Sequence, residues 1–334
     1  MLDFLAMASH FQNTSPLPPG ERSTRKVYPK HHLSPGGRGR PAGPGEGEYN
    51  MTSRFPVYLI SIIFLGISIT ASAWNAIGHK VIAHIAYDYL TPNAKEAVDK
   101  LTKQKNNEQF SGRSRFAFIS TWADYIRAKG DHRFDRWHYI GLPLSADGTP
   151  IKPPRTPNVV WAIKKSGSVL VDPKSSKSDK RLHLKLLVHF VGDVHQPLHA
   201  VNRYSRATPQ GDRGGNAMKI SAPYAKNLHA YWDDGVGLFR KMGVRYPRKN
   251  TNIRRVASII EQKTPIQNYP PKLLNTSPMD WGEESRKLAR RFAYKLKANQ
   301  RPTQGYVMVG QRVVENRLAL AGYRLATMLN EIYG

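Results

Sequence analysis

Two stretches of the sequence each place a histidine four residues before an aspartate. His189 and Asp193 form the first pair, in His189-Phe-Val-Gly-Asp193, and His229 and Asp233 form the second, in His229-Ala-Tyr-Trp-Asp233. An α-helix brings positions i and i+4 to one face, so each pair can offer an imidazole nitrogen and a carboxylate oxygen to one point. His199 follows six residues after Asp193, just past Pro197, where the chain can turn back. The chain has no cysteine, which excludes disulfides and thiolate metal sites. A transition metal would therefore be held by nitrogen and oxygen donors, a set that suits zinc. The same spacing also stabilises a helix as an ion pair. Two pairs together with His199 point to neighbouring metal sites.

These residues need helices to carry them. Leu182 to Val194 has apolar residues at Leu186, Leu187, Phe190 and Val191, which predicts a helix ended by Pro197. Val81 to Leu90 has helical spacing, and Thr91-Pro92 reads as an N-cap with proline in the first turn of a second helix through Leu101. Further helices are expected over 251–262, from Pro278 to about Lys297, and from about Val309 to Ile332. Tyr204 to Asn216 reads as a glycine-rich loop, and strand alternation is confined to short pieces such as Met218–Ile220. No repeat or linker divides 74–334, so a single, mostly helical, all-α domain is expected.

The sequence before Trp74 reads differently. Residues 1–50 are rich in Pro, Gly and Arg without hydrophobic period, as in a disordered or mis-assigned upstream extension. Residues 51–73 have the anatomy of a signal peptide: Met51, the basic Arg54, an apolar run from Val57 to Ile69, and the small-residue box Ala71-Ser72-Ala73. The run is shorter than the roughly 20 residues a spanning helix needs. Export with cleavage after Ala73 is expected, leaving a secreted or periplasmic chain of residues 74–334 with no stable membrane insertion. Seven of the 51 Lys+Arg and four of the 24 Asp+Glu precede Trp74, so residues 74–334 carry a net charge of +24. A charge of that size attracts polyanions without choosing among nucleic acid, anionic membrane and acidic glycan.

Five separated blocks resemble a known family: Trp74-Asn-Ala-Ile-Gly-His79, Thr121-Trp-Ala-Asp124, Trp137-His138-Tyr-Ile, Val188 through His199, and Asn227-Leu-His229-Ala-Tyr-Trp-Asp233. The chain is similar to the zinc-dependent single-strand nucleases, which share their helical fold with bacterial zinc phospholipase C. The resemblance implies three zinc ions. Asp124, His138, His189 and Asp193 would hold one, and His199, His229 and Asp233 a second. The third would take the α-amino group and carbonyl of Trp74, with His79 and a shared Asp193. Signal cleavage would itself create that amino group. Four further histidines of the mature chain, His84, His132, His183 and His195, are left with structural or surface roles.

The resemblance also implies the chemistry. Metal-activated water would attack phosphorus of single-stranded nucleic acid or nucleotides and leave 5′-phosphorylated products, with possible 3′-nucleotidase activity. Asp193 would bridge two metals, and Arg127 would assist the phosphate. Tyr139 would stack a base, and Asn216 would lie in a loop near the metals. Gly141 stands where some members carry an acidic residue that bonds a base, so weak base selectivity is expected. Two alternatives share these features: a zinc phospholipase C, for which Glu rather than Asp233 would be expected, and a non-catalytic basic protein that binds nucleic acid. Oligomeric state is not legible in the sequence.

Overall fold

Side-chain caps set where the helices begin. In the computed structural model, which describes residues 74–104, 107–244 and 252–334, Asn75 accepts from the backbone N–H groups of Ile77 and Gly78 and opens helix α1, Ala76–Asp88. Thr91 caps α2, Pro92–Thr102, with proline in its first turn. Two short helices follow, α3 (Gly112–Ile119) and α4 (Trp122–Ala128), then strand β1 (Leu142–Ser145). Asn158 caps α5, Val159–Val171, and Ser176 caps α6, Lys177–His195. Three short strands come next, β2 (Val201–Tyr204), β3 (Lys219–Ala222) and β4 (Ala225–Asn227). Then come α7 (Leu228–Asp233), α8 (Leu238–Lys241), α9 (Ile253–Lys263), α10 (Pro271–Leu274), α11 (Pro278–Arg291) and α12 (Gln304–Tyr333). All described residues belong to one compact unit, Thr70–Gly334.

The all-α expectation holds. β1 pairs in parallel with β2, Leu142 facing Val201, and β3 pairs antiparallel with β4. Several boundaries differ from the sequence reading. Helix α6 starts at Lys177 rather than Leu182, because the Ser176 hydroxyl satisfies its first turn. Helix α11 stops at Arg291; Phe292 leaves helical geometry, and a separate 3-10 turn runs from Ala293 to Lys295. Helix α12 begins at Gln304, capped by Thr303. Helices α3, α4 and α5 have no counterpart in the sequence reading. The expected extension over 1–50 and signal peptide over 51–73 lie outside the described residues.

Helix α6 is the central beam. Its residues from Leu186 to His195 are all buried, and it packs against α5, α11 and α12. Helix α1 lies against α12, and contact is closest at Gly322. A Cβ there would come within 2.6 Å of the Ile85 side chain, so the packing requires glycine. The far end of α6 is clamped by two fully buried arginines from α12. Arg317 donates to the His195 carbonyl (3.1 Å) and Arg324 to His195 Nε2 (3.0 Å). Glu284 of α11 accepts from both guanidinium groups, at 2.8 and 2.7 Å. One carboxylate thus serves both guanidinium groups, and their remaining N–H groups are largely bonded to neutral acceptors, which lowers the cost of burying the two charges.

Candidate metal centre

The near face of α6 meets α1 and α4, the turn that follows it meets α7, and polar side chains collect where they converge. Three groups of donor atoms lie within 4.8 Å of one another: His79, His189 and Asp193; Asp124, His138 and His189; and His199, His229 and Asp233. All eight metal-ligand side chains expected from the sequence are in these groups. Seven are at most 5 % exposed; Asp124, with a 15 % exposed side chain, is the most exposed of the eight.

The spacing fits zinc. Ligand bonds of about 2.0–2.1 Å in a tetrahedron put donor atoms about 3.3–3.4 Å apart. His79 Nε2 lies 3.3 Å from Asp193 Oδ1. On the other oxygen, Asp193 Oδ2 is 2.9 Å from His138 Nδ1 and 3.5 Å from His189 Nε2. Asp124 Oδ1 is 3.7 Å from His189 Nε2 and 3.9 Å from His138 Nδ1. In the third group His199 Nε2 and His229 Nε2 are 3.1 Å apart, with Asp233 oxygens 3.8 and 3.6 Å from them. Asp193 thus turns one oxygen toward His79 and the other toward His138 and His189.

Three of the rings are oriented by the backbone. His189 Nδ1 donates to Ser120 O, His199 Nδ1 to His138 O and His229 Nδ1 to Gly214 O, each at 2.7 Å. A carbonyl only accepts, so Nδ1 carries the proton and Nε2 presents its lone pair, as metal-ligating histidines do. With Nδ1 so engaged, His189 can serve one ion only. Gly214 has φ +62°, and a Cβ on it would lie 2.2 Å from Leu198 O, so only glycine brings its carbonyl to His229.

The electrostatics fit the same purpose. Burial pushes His79, His138 and His199 well below the ordinary imidazole range, and neighbouring histidines push further. Burial also lowers His229 to about 4, despite its bond to Gly214. Neutral imidazole is the ligating form. Burial, then the charges of Asp124 and Asp233, raise Asp193 well above the carboxylate range; burial raises Asp233 likewise, against a hydrogen bond from Gln196. His79 Nδ1 and Nε2, Asp124 Oδ1, Asp193 Oδ1 and Asp233 Oδ2 are buried without a hydrogen-bond partner among the described residues. Such atoms are costly unless a cation takes them up.

The other expected residues fall as follows. Trp74 is fully buried, and the adjacent Asn75 N–H donates to Asp233 O at 3.0 Å, tying residue 74 to the end of α7. Arg127 Nε lies 3.2 Å from Asp135, and the guanidinium acts electrostatically on His138, His189, Asp193, His199 and His229. Tyr139 is 48 % exposed, which rules out core packing. Asn216 belongs to none of the three groups. Its side chain donates to Arg213 O at 2.9 Å and closes the loop that carries Gly214. His195 has both ring nitrogens engaged, with Val191 O and Arg324, and cannot ligate. The sequence reading missed Gln196, whose Nε2 donates to Asp233 Oδ1 at 2.6 Å, and Tyr125, exposed at 59 % beside Asp124. Tyr125 follows Asp124 as Tyr139 follows His138, a pattern the sequence could have given.

The chain is similar to Endonuclease 3 of Arabidopsis thaliana, 27% identical over 302 residues that cover 83% of this chain and 95% of the relative. Endonuclease 4 of Arabidopsis thaliana is 29% identical over 289 residues, 79% of this chain and 90% of that one. Nuclease P1 of Penicillium citrinum is 24% identical over 292 residues, 78% and 98% of the two chains. The family model S1/P1 Nuclease matches residues 74–334, the span that contains every residue of the centre, and the chain belongs to that family.

Proposed function

We propose that this chain is an exported nuclease that uses three zinc ions to hydrolyse phosphodiester bonds of single-stranded DNA or RNA to 5′-phosphorylated products, with 3′-nucleotidase activity on the same site. One observation carries the reading: five imidazoles and three carboxylates converge at zinc-like spacing, with buried donor atoms that no described residue satisfies. Nuclease names among the relatives and the net charge of +24 on residues 74–334 support nucleic acid as substrate. Among the described residues no helix is long and apolar enough to cross a membrane.

In this reading Asp124, His138, His189 and Asp193 hold one ion. His199, His229 and Asp233 hold another. The terminal amine and carbonyl of Trp74, with His79 and Asp193, hold the third. Bound zinc supplies Lewis acidity, making water nucleophilic near neutral pH and offsetting charge that grows on phosphate oxygens. The chain's own residues do the rest. Asp193 fixes two sites at one spacing through its two oxygens. Ser120, His138 and Gly214 carbonyls hold three rings in the ligating tautomer. Arg127 offers a fixed positive charge to a phosphate, and the exposed ring of Tyr139 offers a base a stacking surface, with Asn216 at the loop rim.

The test is the amino terminus. A chain beginning at Trp74 is compared with one that keeps Ala73, which turns the amine into an amide, a poor ligand at neutral pH. Non-denaturing mass spectrometry should show one zinc fewer in the longer chain. Turnover on single-stranded DNA should fall by orders of magnitude at unchanged helix content. Equal zinc and equal turnover would remove Trp74 from the site. Phosphatidylcholine, run beside the nucleic acids, tests the phospholipase alternative.

A further inference from the structure

A second cleft, of about 270 Å³, lies between α1, α3 and the start of α9. Lys80, His84, Ser114, Arg254, Phe110 and Phe118 contribute to its lining. It faces away from the metal centre. On α1, Lys80 and His84 are turned about 100° and 140° from His79, following 3.6 residues per turn. None of these residues takes part in the three donor groups.

The lining combines positive charge with aromatic surface. Neither Lys80 nor Arg254 makes an ion pair with a described residue, whereas the neighbouring Arg113 is paired with Asp88. Burial, then Arg113, hold His84 near a pKa of about 4, partly offset by Asp88, with Arg254 and Lys80 lowering it further. Those charges therefore converge on its ring, whose Nδ1 is buried without a hydrogen-bond partner among the described residues. Glu261 is the nearby acidic group that bears on Arg254, and its pKa is itself raised to about 7 by burial and then Asp88. Phe110 and Phe118 stack with ring centroids 4.9 Å apart, and Phe118 is 41 % exposed. A phenyl face beside two cations that pair with no described residue is what a nucleotide unit needs: stacking for the base and charge for the phosphate. A lipid surface would be met by a protruding apolar face, and this one is concave. The volume falls just below the range of ligand pockets, about 300–1,000 Å³, so it suits one unit of a passing strand and not a whole ligand.

We propose that this cleft is a second nucleotide-binding site, which grips a single strand at a distance from the metal centre and gives long substrates tighter binding than short ones. The proposal rests on the nuclease reading, and the test separates the two. Lys80→Gln/Arg254→Gln and Phe118→Ala variants of the zinc-loaded enzyme are compared with wild type on a long oligothymidylate and on the thymidine dinucleotide. On the long strand the double variant should raise KM and flatten the salt dependence by about 1.4 in log–log slope, about 0.7 for each phosphate no longer neutralised. Phe118→Ala should raise KM about fivefold or more. On the dinucleotide, kcat and KM should match wild type in both variants. A long strand carrying a photoreactive thymidine analogue should cross-link to peptides containing Phe110 or Phe118. Wild-type KM and salt slope on the long strand in both variants, with no such cross-link, overturn the proposal. So does binding to anionic phospholipid vesicles that the substitutions abolish while DNA kinetics stay unchanged. Failure of wild type to cut even the dinucleotide would instead strike the nuclease reading, because that substrate does not reach the cleft.

Discussion

Replacing Gln196 by alanine should weaken one metal site and spare the others. Gln196 is fully buried where α6 ends. Its Nε2 donates to Asp233 Oδ1 at 2.6 Å, and its Oε1 accepts from Leu198 N at 2.5 Å, so one amide joins the carboxylate on α7 to the turn that carries His199. A hydrogen bond to a charged group contributes about 1.5–3 kcal/mol. At about 1.4 kcal/mol per tenfold, the loss should weaken zinc held by His199, His229 and Asp233 by about 10- to 100-fold, the range usual for groups that orient ligands. The Gln196 side chain makes no hydrogen bond to His79, Asp124, His138, His189 or Asp193, so zinc on those residues should hold as in wild type. Competition with a graded chelator series gives the affinities, and non-denaturing mass spectrometry the occupancies. Leu198 N also loses its acceptor, so a modest drop in melting temperature should accompany the change. Zinc affinity within about threefold of wild type at all sites would refute the argument. So would equal loss at all sites, because the glutamine would then be acting through global packing.

Asp193→Asn removes a carboxylate whose two oxygens face different histidines, so it should cost metal at two sites and nearly all turnover; full zinc content with near-normal rates would break the bridging assignment. Tyr139→Ala should weaken mononucleotide inhibition by about 1–3 kcal/mol while barely moving the melting temperature, since the ring is half exposed; the opposite pattern would make it a packing residue. Glu261 is half-buried beside Asp88, and burial followed by that charge raises its pKa to about 7. The folded state therefore keeps a proton that the unfolded chain, with a pKa near 4.3, has already lost. Stability should fall as pH rises from about 4 to 7, and the penalty should be complete above 7. Glu261→Gln should raise the melting temperature at pH 8 and leave it nearly unchanged at pH 4, and equal melting at pH 8 would contradict the shift.

The parts of the centre that lie within one helix were legible from spacing alone. His189 with Asp193, and His229 with Asp233, are local i, i+4 pairs, and α6 and α7 carry them on one face each. His79, Asp124 and His138 came only from resemblance, because each stands on a different element and no local period links them. The backbone acceptors were out of reach: every residue has a carbonyl, and nothing in the sequence marks Ser120 or His138 as the one a ring will meet. Gly214 falls in the glycine-rich loop expected over Tyr204 to Asn216, but the reason for glycine there, a Cβ overlapping Leu198 O, exists only in three dimensions. Helices α3 and α4, of 8 and 7 residues, are too short to show a period. The break in α11 at Phe292 has no local breaker to announce it. Tyr306 of α12 donates to the carbonyl of Ala293, the next residue, and packing of that kind overrides propensity.

A cluster of buried imidazoles and carboxylates is expensive to hold in one place, and the fold divides that cost between the two faces of α6. On one face His189 Nε2 and Asp193 turn toward the donor cluster, where Asp193 Oδ1 is buried without a hydrogen-bond partner among the described residues. On the other, two residues past Asp193, His195 is held by Arg317 and Arg324, and Glu284 is shared between the two guanidinium groups. The arginine side is complete with protein groups alone. It can therefore keep α6 in position whether or not the opposite face is filled. This separates the scaffold from the chemistry. On the proposed reading, His189 would not need metal to fix its helix, because α12 and α11 pack against it. On that reading, the packing of α6 would hold Asp193 in place before substrate arrives, which is the condition for electrostatic preorganisation.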